Sequence, residues 1–244
     1  MSDHLLSCSG MQNIAVILAG GSGKRAGGDV PKQFFKIAGK TILEYSLEKF
    51  EDNSRIDEIV VVGNPAHLEE IRQILHTRNL SKVKHLLPGG QERYHSVLAA
   101  LEIYKNTACN LLIHDAVRPM VSQRIIDEVI QCLQSCKAVN VAIPATDTII
   151  EVDPAGGFIT DIPPRSRLYQ VQTPQGFHAP TLSYAYSQAL NDPEFTTTDD
   201  CSVIRKYVPG EKIKIVKGDT TNIKLTYPED LFLLEYLLNQ ETRS

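Results

Sequence analysis

The sequence predicts an α/β fold with three layers, in which helices cover both faces of a mostly parallel sheet. Short apolar runs alternate with helical patterns along most of the 244 residues. The runs are rich in Val, Ile and Leu and show little polar alternation, as expected for parallel strands that are buried on both faces. Helical stretches between the strands favour right-handed crossovers. The predicted strands cover 13–19, 58–63, 83–87, 110–114, 138–144 and 212–216.

The predicted helices lie between these strands. In the helix over 123–133 the apolar residues recur at helical spacing, and Ser122 precedes it as a candidate N-cap. The last helix is expected to begin at "TYPED", where Thr226 and Glu229 have the spacing of a capping box. The other predicted helices cover 41–50, 67–75, 91–104 and 179–190.

The alternation of strands and helices breaks over residues 146–177. Two short alternating runs flank the turn sequence "DPAGG", and a Pro-rich extended stretch follows. The segment has too little apolar content to need full burial, so it is predicted to be a β-hairpin arm that projects from the sheet and packs on a second subunit. A solvent-exposed loop is the alternative. The expected organisation is a flexible tail over 1–12 and a single domain over 13–244.

The composition argues against several classes of partner. The formal net charge is -4, and no stretch gathers enough Lys and Arg to follow a nucleic-acid backbone. No apolar run approaches the roughly 18 residues of a membrane span, and the first ten residues do not resemble a signal peptide. Cys132 and Cys136 suit one side of a metal site, but small apolar residues of a reduced cytoplasmic protein are the simpler interpretation of the five cysteines.

A glycine-rich loop after the first strand indicates a phosphate ligand. It reads "LAGGSGKRAGGDVPKQ" and carries Lys24, Arg25 and Lys32. A P-loop is excluded because Arg25 stands where a Ser or Thr must hold Mg²⁺. A dinucleotide site is disfavoured because the second strand ends in Gly63 and Asn64, without the carboxylate that binds the ribose. A nucleotidyltransferase explains the basic residues, since fixed cations and Mg²⁺ stabilise the charge that gathers on departing pyrophosphate.

Six motifs in chain order resemble those of the polyol-phosphate cytidylyltransferases. Between residues 18 and 231 they are "LAGGSGKRAGGDVPKQF", "GGQERYHSV", "HDAVRP", "QTPQGF", "TDD" and "NIKLTYPEDL". Members of this family transfer CMP from CTP to 2-C-methyl-D-erythritol 4-phosphate in isoprenoid synthesis, or to D-ribitol 5-phosphate in the synthesis of cell-envelope polymers such as teichoic acid. The resemblance covers nearly the whole chain. It implies a Rossmann-like fold, Mg²⁺ dependence and a homodimer with interlocked hairpin arms.

The resemblance also implies roles on the nucleotide side of the site. Arg25, Lys32 and Lys224 are the expected catalytic cations on the CTP phosphates, with Lys24 as a lesser candidate. Asp115 follows the strand over 110–114 and is the expected Mg²⁺ ligand, because a hard cation beside phosphate prefers carboxylate oxygen. A turn carboxylate is the alternative for Asp115. The expected nucleotide-binding residues are Ala19, Gly20, Gly21, Gly89, Gly90 and Ser96.

Four further residues are expected to bind the acceptor, partly from the partner subunit: Arg118, Thr148, Arg165 and Thr173. Arg165 is the strongest of them, because a planar guanidinium binds phosphate through two hydrogen bonds.

Other polar residues of the motifs keep two interpretations. Arg93 either supports the base-reading loop or lies on a helix surface. Asp199 and Asp200 either orient Mg²⁺ and acceptor hydroxyls or stabilise a helix N-terminus. His114 is expected to be structural, because an acceptor phosphate is already ionised and needs no general base.

The motifs divide between the two acceptor classes. "LAGG" and "ITDIPPR" are closer to the ribitol enzymes, whereas methylerythritol enzymes typically carry Val-Asp-Arg on the arm. "TDDCS" and "VKGDTTNIKLTYPEDL" are closer to the methylerythritol enzymes. D-Ribitol 5-phosphate is therefore the favoured acceptor, and 2-C-methyl-D-erythritol 4-phosphate is the alternative. A catalytically silent scaffold of the same fold is disfavoured, because the charged set is complete: Arg25, Lys32, Asp115, Arg165 and Lys224.

Overall fold

The computed structural model describes residues 10–21 and 30–241, which have the predicted α/β architecture. The strands are β1 (Gln12–Ala19), β2 (Lys36–Ile37), β3 (Lys40–Thr41), β4 (Glu58–Gly63), β5 (Val83–Pro88), β6 (Cys109–Asp115), β7 (Ala138–Pro144), β8 (Glu151–Val152), β9 (Ile159–Asp161), β10 (Tyr169–His178) and β11 (Ile213–Lys217). The helices are α1 (Ile42–Glu51), α2 (Leu68–Arg78), α3 (Arg93–Tyr104), α4 (Gln123–Cys132), α5 (Ala179–Ala189), α6 (Asp200–Tyr207) and α7 (Asp230–Glu241).

The central sheet has, within the described residues, seven strands in the order β11-β7-β10-β6-β1-β4-β5. Neighbouring strands pair in parallel except at β10, which runs antiparallel to both β6 and β7. Every strand predicted from the sequence is present, with its ends displaced by no more than one residue. The expectation of a mostly parallel sheet is therefore confirmed.

The core explains why the strands lack polar alternation. Ile14 and Val16 of β1 pack in one apolar cluster with α3, α5 and α6, whereas Ala15 and Ile17 pack in a second cluster with α1, α2 and α4. All four side chains are fully buried. Because each face of β1 meets a layer of helices, consecutive residues are both apolar.

The parallel register brings the ends of several strands to one edge of the sheet. Ala19 pairs with Gly63, Gly63 pairs with Pro88, and Leu18 pairs with Asp115. The glycine-rich loop and the "GGQER" loop therefore begin at the same edge of the sheet, and Asp115 lies at that edge. This is the edge at which open α/β sheets bind their ligands.

The segment over 146–177 divides into two parts. Its N-terminal part forms a hairpin of β8 and β9, as predicted, and Asp153 closes the turn by accepting hydrogen bonds from the backbone N–H groups of Gly157 and Phe158, both at 2.8 Å. Its C-terminal part, from residue 169, is β10 of the central sheet. Phe177 is fully buried there, so this part of the segment belongs to the main core.

The hairpin region carries a row of apolar side chains on its surface. Phe158 is 80% exposed, and Ile159 and Ile162 are both 57% exposed. Ile149 and Ile150, just before the hairpin, are nearly half exposed. Several large apolar side chains exposed on one short segment are typical of an interface.

The sequence predicts N-terminal caps for two helices, and the structure contains one of them. Ser122 caps α4 as predicted, because its side chain accepts a hydrogen bond from the backbone N–H of Ile125 at 3.4 Å. The capping box expected at Thr226 and Glu229 is wrong. Helix α7 begins at Asp230, whose carboxylate accepts from the backbone N–H groups of Thr226 and Tyr227, both at 2.7 Å. Asp230 thus accepts from the backbone N–H of Thr226, the donor that Glu229 would have bonded in a capping box.

Two further expectations from the sequence concern a metal site at the cysteines and a membrane-spanning segment. Cys132 and Cys136 are free thiols, and no group of three or more His, Cys, Asp or Glu side chains is arranged to hold a metal within the ranges 10–21 and 30–241. In the same ranges, every helix is too short or too polar to cross a bilayer.

Candidate active site

A cavity of about 310 Å³ opens beside the end of β6 and the middle of β10. Among the residues that line it, three carry positive charge and two carry carboxylates: Arg93, Arg118, Lys224, Asp115 and Asp199. These residues come from distant parts of the chain. The fold therefore gathers a dense set of opposite charges at the ligand-binding edge of the sheet.

Asp115 lies at the centre of these charges. Lys224 Nζ is 2.8 Å from Oδ2 of Asp115, and Arg93 Nε is 3.4 Å from Oδ1. Arg118 Nε is more distant, at 3.9 Å from Oδ2. Burial alone would raise the pKa of Asp115, but Arg93, Lys224 and Arg118 together hold this pKa far below its usual range. Asp115 is thus a carboxylate at neutral pH.

Arg118 is buried against the backbone on one side of the cavity. Its Nη1 donates to the carbonyl of Asn222 at 2.8 Å, and its Nη2 donates to the carbonyl of Val171 at 3.2 Å. Its Nε has no hydrogen-bond partner within the described part of the chain. The backbone thus holds the buried guanidinium in place, with its Nε 3.9 Å from Oδ2 of Asp115.

His114 is hydrogen-bonded to two residues that line the cavity, Thr173 and Arg118. The backbone N–H of Asp115 donates to Thr173 Oγ1 at 3.1 Å, and Thr173 Oγ1 lies 3.0 Å from His114 Nδ1. The other ring nitrogen, Nε2, lies 3.1 Å from the carbonyl of Arg118. These contacts assign Nδ1 as the acceptor and Nε2–H as the donor of a neutral ring. Both ring nitrogens are occupied, which fits the expected structural role.

Folding stability is expected to depend on His114 between pH 6.5 and 4. Burial lowers the pKa of His114 from 6.5 to about 4, so the unfolded chain binds more protons in this interval. The contribution is complete above pH 6.5 and is lost as the pH falls to 4, with a size of about 3 kcal/mol. Urea unfolding of wild type and His114→Gln at pH 7 and pH 5 measures it. An unchanged pH dependence in His114→Gln contradicts the assignment.

Ser96 joins the two glycine loops. A Cβ atom at Gly20 would lie 3.3 Å from Ser96 Oγ, and one at Gly89 would lie only 2.5 Å from the same oxygen. The backbone N–H of Gly89 also donates to the carbonyl of Gly63 at 2.7 Å. Gly20 and Gly89, which are both expected to bind nucleotide, therefore pack against Ser96, a third such residue. Gly90 belongs to the same loop and packs against His95.

Gly89→Ala is expected to raise KM for CTP roughly tenfold, because the added methyl group must displace Ser96 or the loop, and overpacking of this kind costs about 1–3 kcal/mol. Steady-state kinetics with varied CTP measures the effect. Gly210→Ala is the matched control, since a Cβ at Gly210 meets no atom within 4 Å and should leave KM unchanged. Equal KM values for the two variants would contradict the tight fit at Gly89.

Gln33 supports this loop, although the sequence did not predict a role for it. Its Nε2 donates to the carbonyl of Ala19 at 3.0 Å and to the carbonyl of Gly21 at 3.1 Å. The side chain is only 2% exposed. A buried amide here holds the start of the glycine-rich loop, and its position directly after Lys32 in "PKQ" was the available signal.

The structure describes two of the three expected catalytic cations, Lys32 and Lys224. Arg25 and Lys24 lie outside the described residues. The Lys32 ammonium donates to the carbonyl of Thr226, two residues beyond Lys224, so the fold brings Lys32 to the segment that carries Lys224.

Thr148 and Arg165 lie away from the cavity of their own chain. Both are exposed, and Arg165 Nη1 donates to the carbonyl of Thr146 at 3.0 Å. Neither belongs to the cavity lining within the described residues, whereas Arg118 and Thr173 do. One chain therefore assembles only half of the expected acceptor-binding set.

Arg93 proves to be part of the site, although the sequence left it as a possible surface residue. Its Nη1 donates to Oδ2 of Asp200 at 2.5 Å, while its Nε faces Asp115. Asp199 instead caps α6, because its carboxylate accepts from the backbone N–H of Ser202 at 3.0 Å. The helix N-terminal interpretation is therefore correct for Asp199. The available signal for Arg93 was its position one helical turn before Ser96.

A family-level sequence profile described as IspD, 2-C-methyl-D-erythritol 4-phosphate cytidylyltransferase, matches residues 13–240. The chain belongs to the IspD family. IspD enzymes are CTP-dependent cytidylyltransferases that act on a polyol phosphate, so the predicted enzyme class is confirmed.

Individual relatives within and around the IspD family carry two kinds of name. The 2-C-methyl-D-erythritol 4-phosphate cytidylyltransferase of Thermobifida fusca is 44% identical over 229 residues, which are 92% of each chain. A bifunctional ribulose 5-phosphate reductase/CDP-ribitol pyrophosphorylase of Haemophilus influenzae is 44% identical over 233 residues. That match covers 95% of this chain and 49% of the Haemophilus protein, so the chain spans about half of that relative's length.

Solved IspD structures share the fold. The 4-diphosphocytidyl-2C-methyl-D-erythritol synthase of Anaerococcus prevotii superposes with a TM-score of 0.83 at 28% identity and covers 94% of this chain and 96% of its own. The 2-C-methyl-D-erythritol 4-phosphate cytidylyltransferase of Thermus thermophilus gives a TM-score of 0.71 at 28% identity, with 93% and 98% covered. The Rossmann-like architecture expected from the motifs is thereby confirmed.

Proposed function

We propose that this IspD-family enzyme transfers CMP from CTP to D-ribitol 5-phosphate and releases pyrophosphate. The observation that carries the reaction is the position of Arg118 and Lys224 on one cavity beside Asp115. Such a site stabilises negative charge that develops on phosphate oxygens.

The nucleotide side of the reaction uses two loops. Backbone groups at Gly89 and Gly90 pair with the cytosine edge, Ser96 contributes its hydroxyl, and the glycine-rich loop from Ala19 to Gly21 lies against the nucleotide. Arg25, Lys32 and Lys224 contact the triphosphate. These cations stabilise the charge that moves onto the leaving group.

The chemical step is a displacement at the α-phosphorus of CTP. An oxygen of the acceptor phosphate forms a bond to this phosphorus, and the bond to the bridging oxygen breaks. The electron pair of that bond leaves with pyrophosphate. The acceptor phosphate is ionised at neutral pH, so the step needs no general base. His114 is consistent with this, because neither of its ring nitrogens is available as a proton acceptor.

Asp115 is the proposed ligand for Mg²⁺. Enzyme sites for Mg²⁺ use one or two carboxylates, substrate phosphates and water, so a cage of many protein ligands is not needed. Asp115 lines the cavity and supplies one carboxylate, which fits that donor set together with the phosphates of CTP. When bound there, Mg²⁺ would neutralise charge on the triphosphate.

The acceptor site is proposed to form between two chains of a homodimer. Arg118 and Thr173 line the cavity, while Thr148 and Arg165 are exposed residues of the arm, outside the cavity lining of their own chain. If the arms are exchanged, Thr148 and Arg165 of one subunit reach the acceptor phosphate in the other. The exposed apolar side chains of the hairpin region supply the surface for such a dimer.

D-Ribitol 5-phosphate is preferred as acceptor for two reasons. The arm carries "ITDIPPR" in place of the Val-Asp-Arg typical of methylerythritol enzymes. A relative named as a CDP-ribitol pyrophosphorylase is 44% identical over 95% of this chain. The equal identity to the Thermobifida fusca protein supports 2-C-methyl-D-erythritol 4-phosphate as the second candidate.

Pyrophosphate release from CTP with each polyol phosphate tests the proposal. We expect turnover with D-ribitol 5-phosphate and a kcat/KM at least about tenfold lower with 2-C-methyl-D-erythritol 4-phosphate, the size of one lost contact. The reverse order would transfer the assignment to the second acceptor. ATP should replace CTP poorly, and equal turnover with ATP would contradict the base-reading role of the "GGQER" loop.

A further inference from the structure

Asp200 is a buried carboxylate that contacts the site without lining it. The residue is 0% exposed and does not line the cavity. Tyr186 O–H donates to its Oδ1 at 2.6 Å, and Arg93 Nη1 donates to its Oδ2 at 2.5 Å. Both carboxylate oxygens are therefore engaged by protein groups. Within the described residues, Arg93 is the side chain of the cavity lining to which the Asp200 carboxylate is hydrogen-bonded.

Arg93 is shared between two carboxylates. Its Nη1 makes a short hydrogen bond to Asp200, whereas its Nε makes only a long contact of 3.4 Å to Oδ1 of Asp115. Burial lowers the pKa of Arg93, but Asp200 and then Asp115 raise it above its ordinary value, so the guanidinium stays charged. The stronger attraction is thus toward Asp200, away from the cavity.

We propose that Asp200 is a positioning residue that draws Arg93 toward itself, so that the bond from Arg93 Nε to Oδ1 of Asp115 stays long at 3.4 Å and a divalent cation can displace it. This inference rests on the proposed function, in which Asp115 binds Mg²⁺ beside the CTP phosphates. A guanidinium and a metal ion compete for the same carboxylate lone pairs. Of the two carboxylates that pair with Arg93, Asp200→Asn leaves Asp115 as the charged one. The Arg93 guanidinium is then expected to move closer to Asp115.

The location of Asp200 supports a role through charge. Asp200 and Arg93 interact in a poorly hydrated environment, where charges act more strongly than at the surface. The Arg93 side chain is still 27% exposed, so it has room to turn toward Asp115. Asp200→Asn keeps the shape of the side chain and its bond from Tyr186, and it removes the charge that holds Arg93.

The test measures how Mn²⁺·CTP binds to the protein in the absence of any acceptor. Titration with water proton relaxation as the signal gives the dissociation constant without turnover. We expect Asp200→Asn to weaken Mn²⁺·CTP about tenfold, because a cation now sits directly on the metal-binding carboxylate. Binding of CTP alone in EDTA, measured by calorimetry, should change by less than about twofold, since the metal is the species in competition.

A second variant gives the proposal its sharpest test. In Arg93→Gln/Asp200→Asn the released guanidinium is gone, so this double variant should bind Mn²⁺·CTP more tightly than Asp200→Asn. Damage to packing alone would make the double variant equal or worse. Thermal unfolding followed by circular dichroism establishes that both variants are folded.

Asp192→Asn is the matched control. Asp192 also accepts from a cation and a tyrosine hydroxyl, Lys206 Nζ at 2.9 Å and Tyr207 O–H at 2.6 Å, but it contacts no residue of the cavity lining in the hydrogen bonds and ion pairs of the described residues. Its replacement should leave the affinity for Mn²⁺·CTP unchanged.

The outcomes separate this inference from the proposed function. If Asp115→Asn binds Mn²⁺·CTP as wild type does, the metal assignment of the proposed function fails and the role of Asp200 fails with it. If Asp115→Asn loses binding but the double variant is no better than Asp200→Asn, only the role of Asp200 is overturned. Equal weakening of Mn²⁺·CTP and of CTP in EDTA also overturns it.

Discussion

Replacing Lys224 with alanine is expected to lower kcat by about a hundredfold or more, with little change in KM for CTP. Lys224 Nζ is 2.8 Å from Oδ2 of Asp115 and lines the cavity, so its charge is close to the proposed metal ligand and phosphates. Charge on the leaving pyrophosphate grows in the transition state. A cation aimed at that charge contributes more to the transition state than to the ground state.

The control for this variant is Lys214→Ala. Lys214 is an exposed lysine of β11 and does not line the cavity, so its removal should leave kcat within about twofold of wild type, as expected for a surface substitution. Steady-state rates of pyrophosphate release measure both variants. A large rise in KM for CTP with unchanged kcat in Lys224→Ala would show uniform binding and would exclude the transition-state role.

Arg165→Ala is expected to raise KM for the polyol phosphate and to spare KM for CTP. One charge-assisted contact to phosphate is lost, which corresponds to about 2–4 kcal/mol, or roughly 30-fold to 1000-fold. Arg167→Ala is the matched control, since both arginines are exposed in the same short helical turn, Arg165–Arg167. The two KM values, measured with each substrate varied in turn, should change only for Arg165→Ala. Equal effects of the two replacements would contradict a specific contact.

Subunit sharing has its own experiment. Arg165→Ala and Lys32→Ala protein are mixed in equal amounts and allowed to exchange subunits. If Arg165 serves the partner's site, a mixed dimer contains one intact site, and random mixing restores about a quarter of the wild-type sites. If both residues serve the same chain, every site stays damaged. An inactive mixture after verified exchange therefore excludes sharing at Arg165.

Local patterns in the sequence were sufficient for most of the fold. The strands over 58–63 and 138–144 were predicted with their observed ends, because buried parallel strands need continuous apolar runs whatever surrounds them. The Ser122 cap was predicted for a similar reason: a helix N-terminus needs an acceptor within a few residues. Strand ends and helix caps of this kind are determined by residues close together in the chain, so they can be derived from the sequence.

Strand β10 shows where that reasoning ends. Its polar stretch from Gln172 to Gln175 does not look like a buried strand, and the segment was assigned to the arm as far as residue 177. In the structure Gln175 Nε2 donates to Asp199 at 2.6 Å, and Thr173 is bonded to His114. Partners supplied by other elements make it possible to bury these polar side chains. Those partners are invisible to a local pattern.

The enzyme class, the α/β architecture and four of the cavity residues, Asp115, Arg118, Thr173 and Lys224, follow from the order of the amino acids alone, because motifs and hydrophobic periods are local. The roles of Arg93 and Asp200 do not, since they arise from packing. The two residues are 107 positions apart in the chain and meet in a hydrogen bond of 2.5 Å beside Asp115. A buried charge is stable only beside its partner, and which partner it finds depends on how the helices α3 and α6 pack on the sheet.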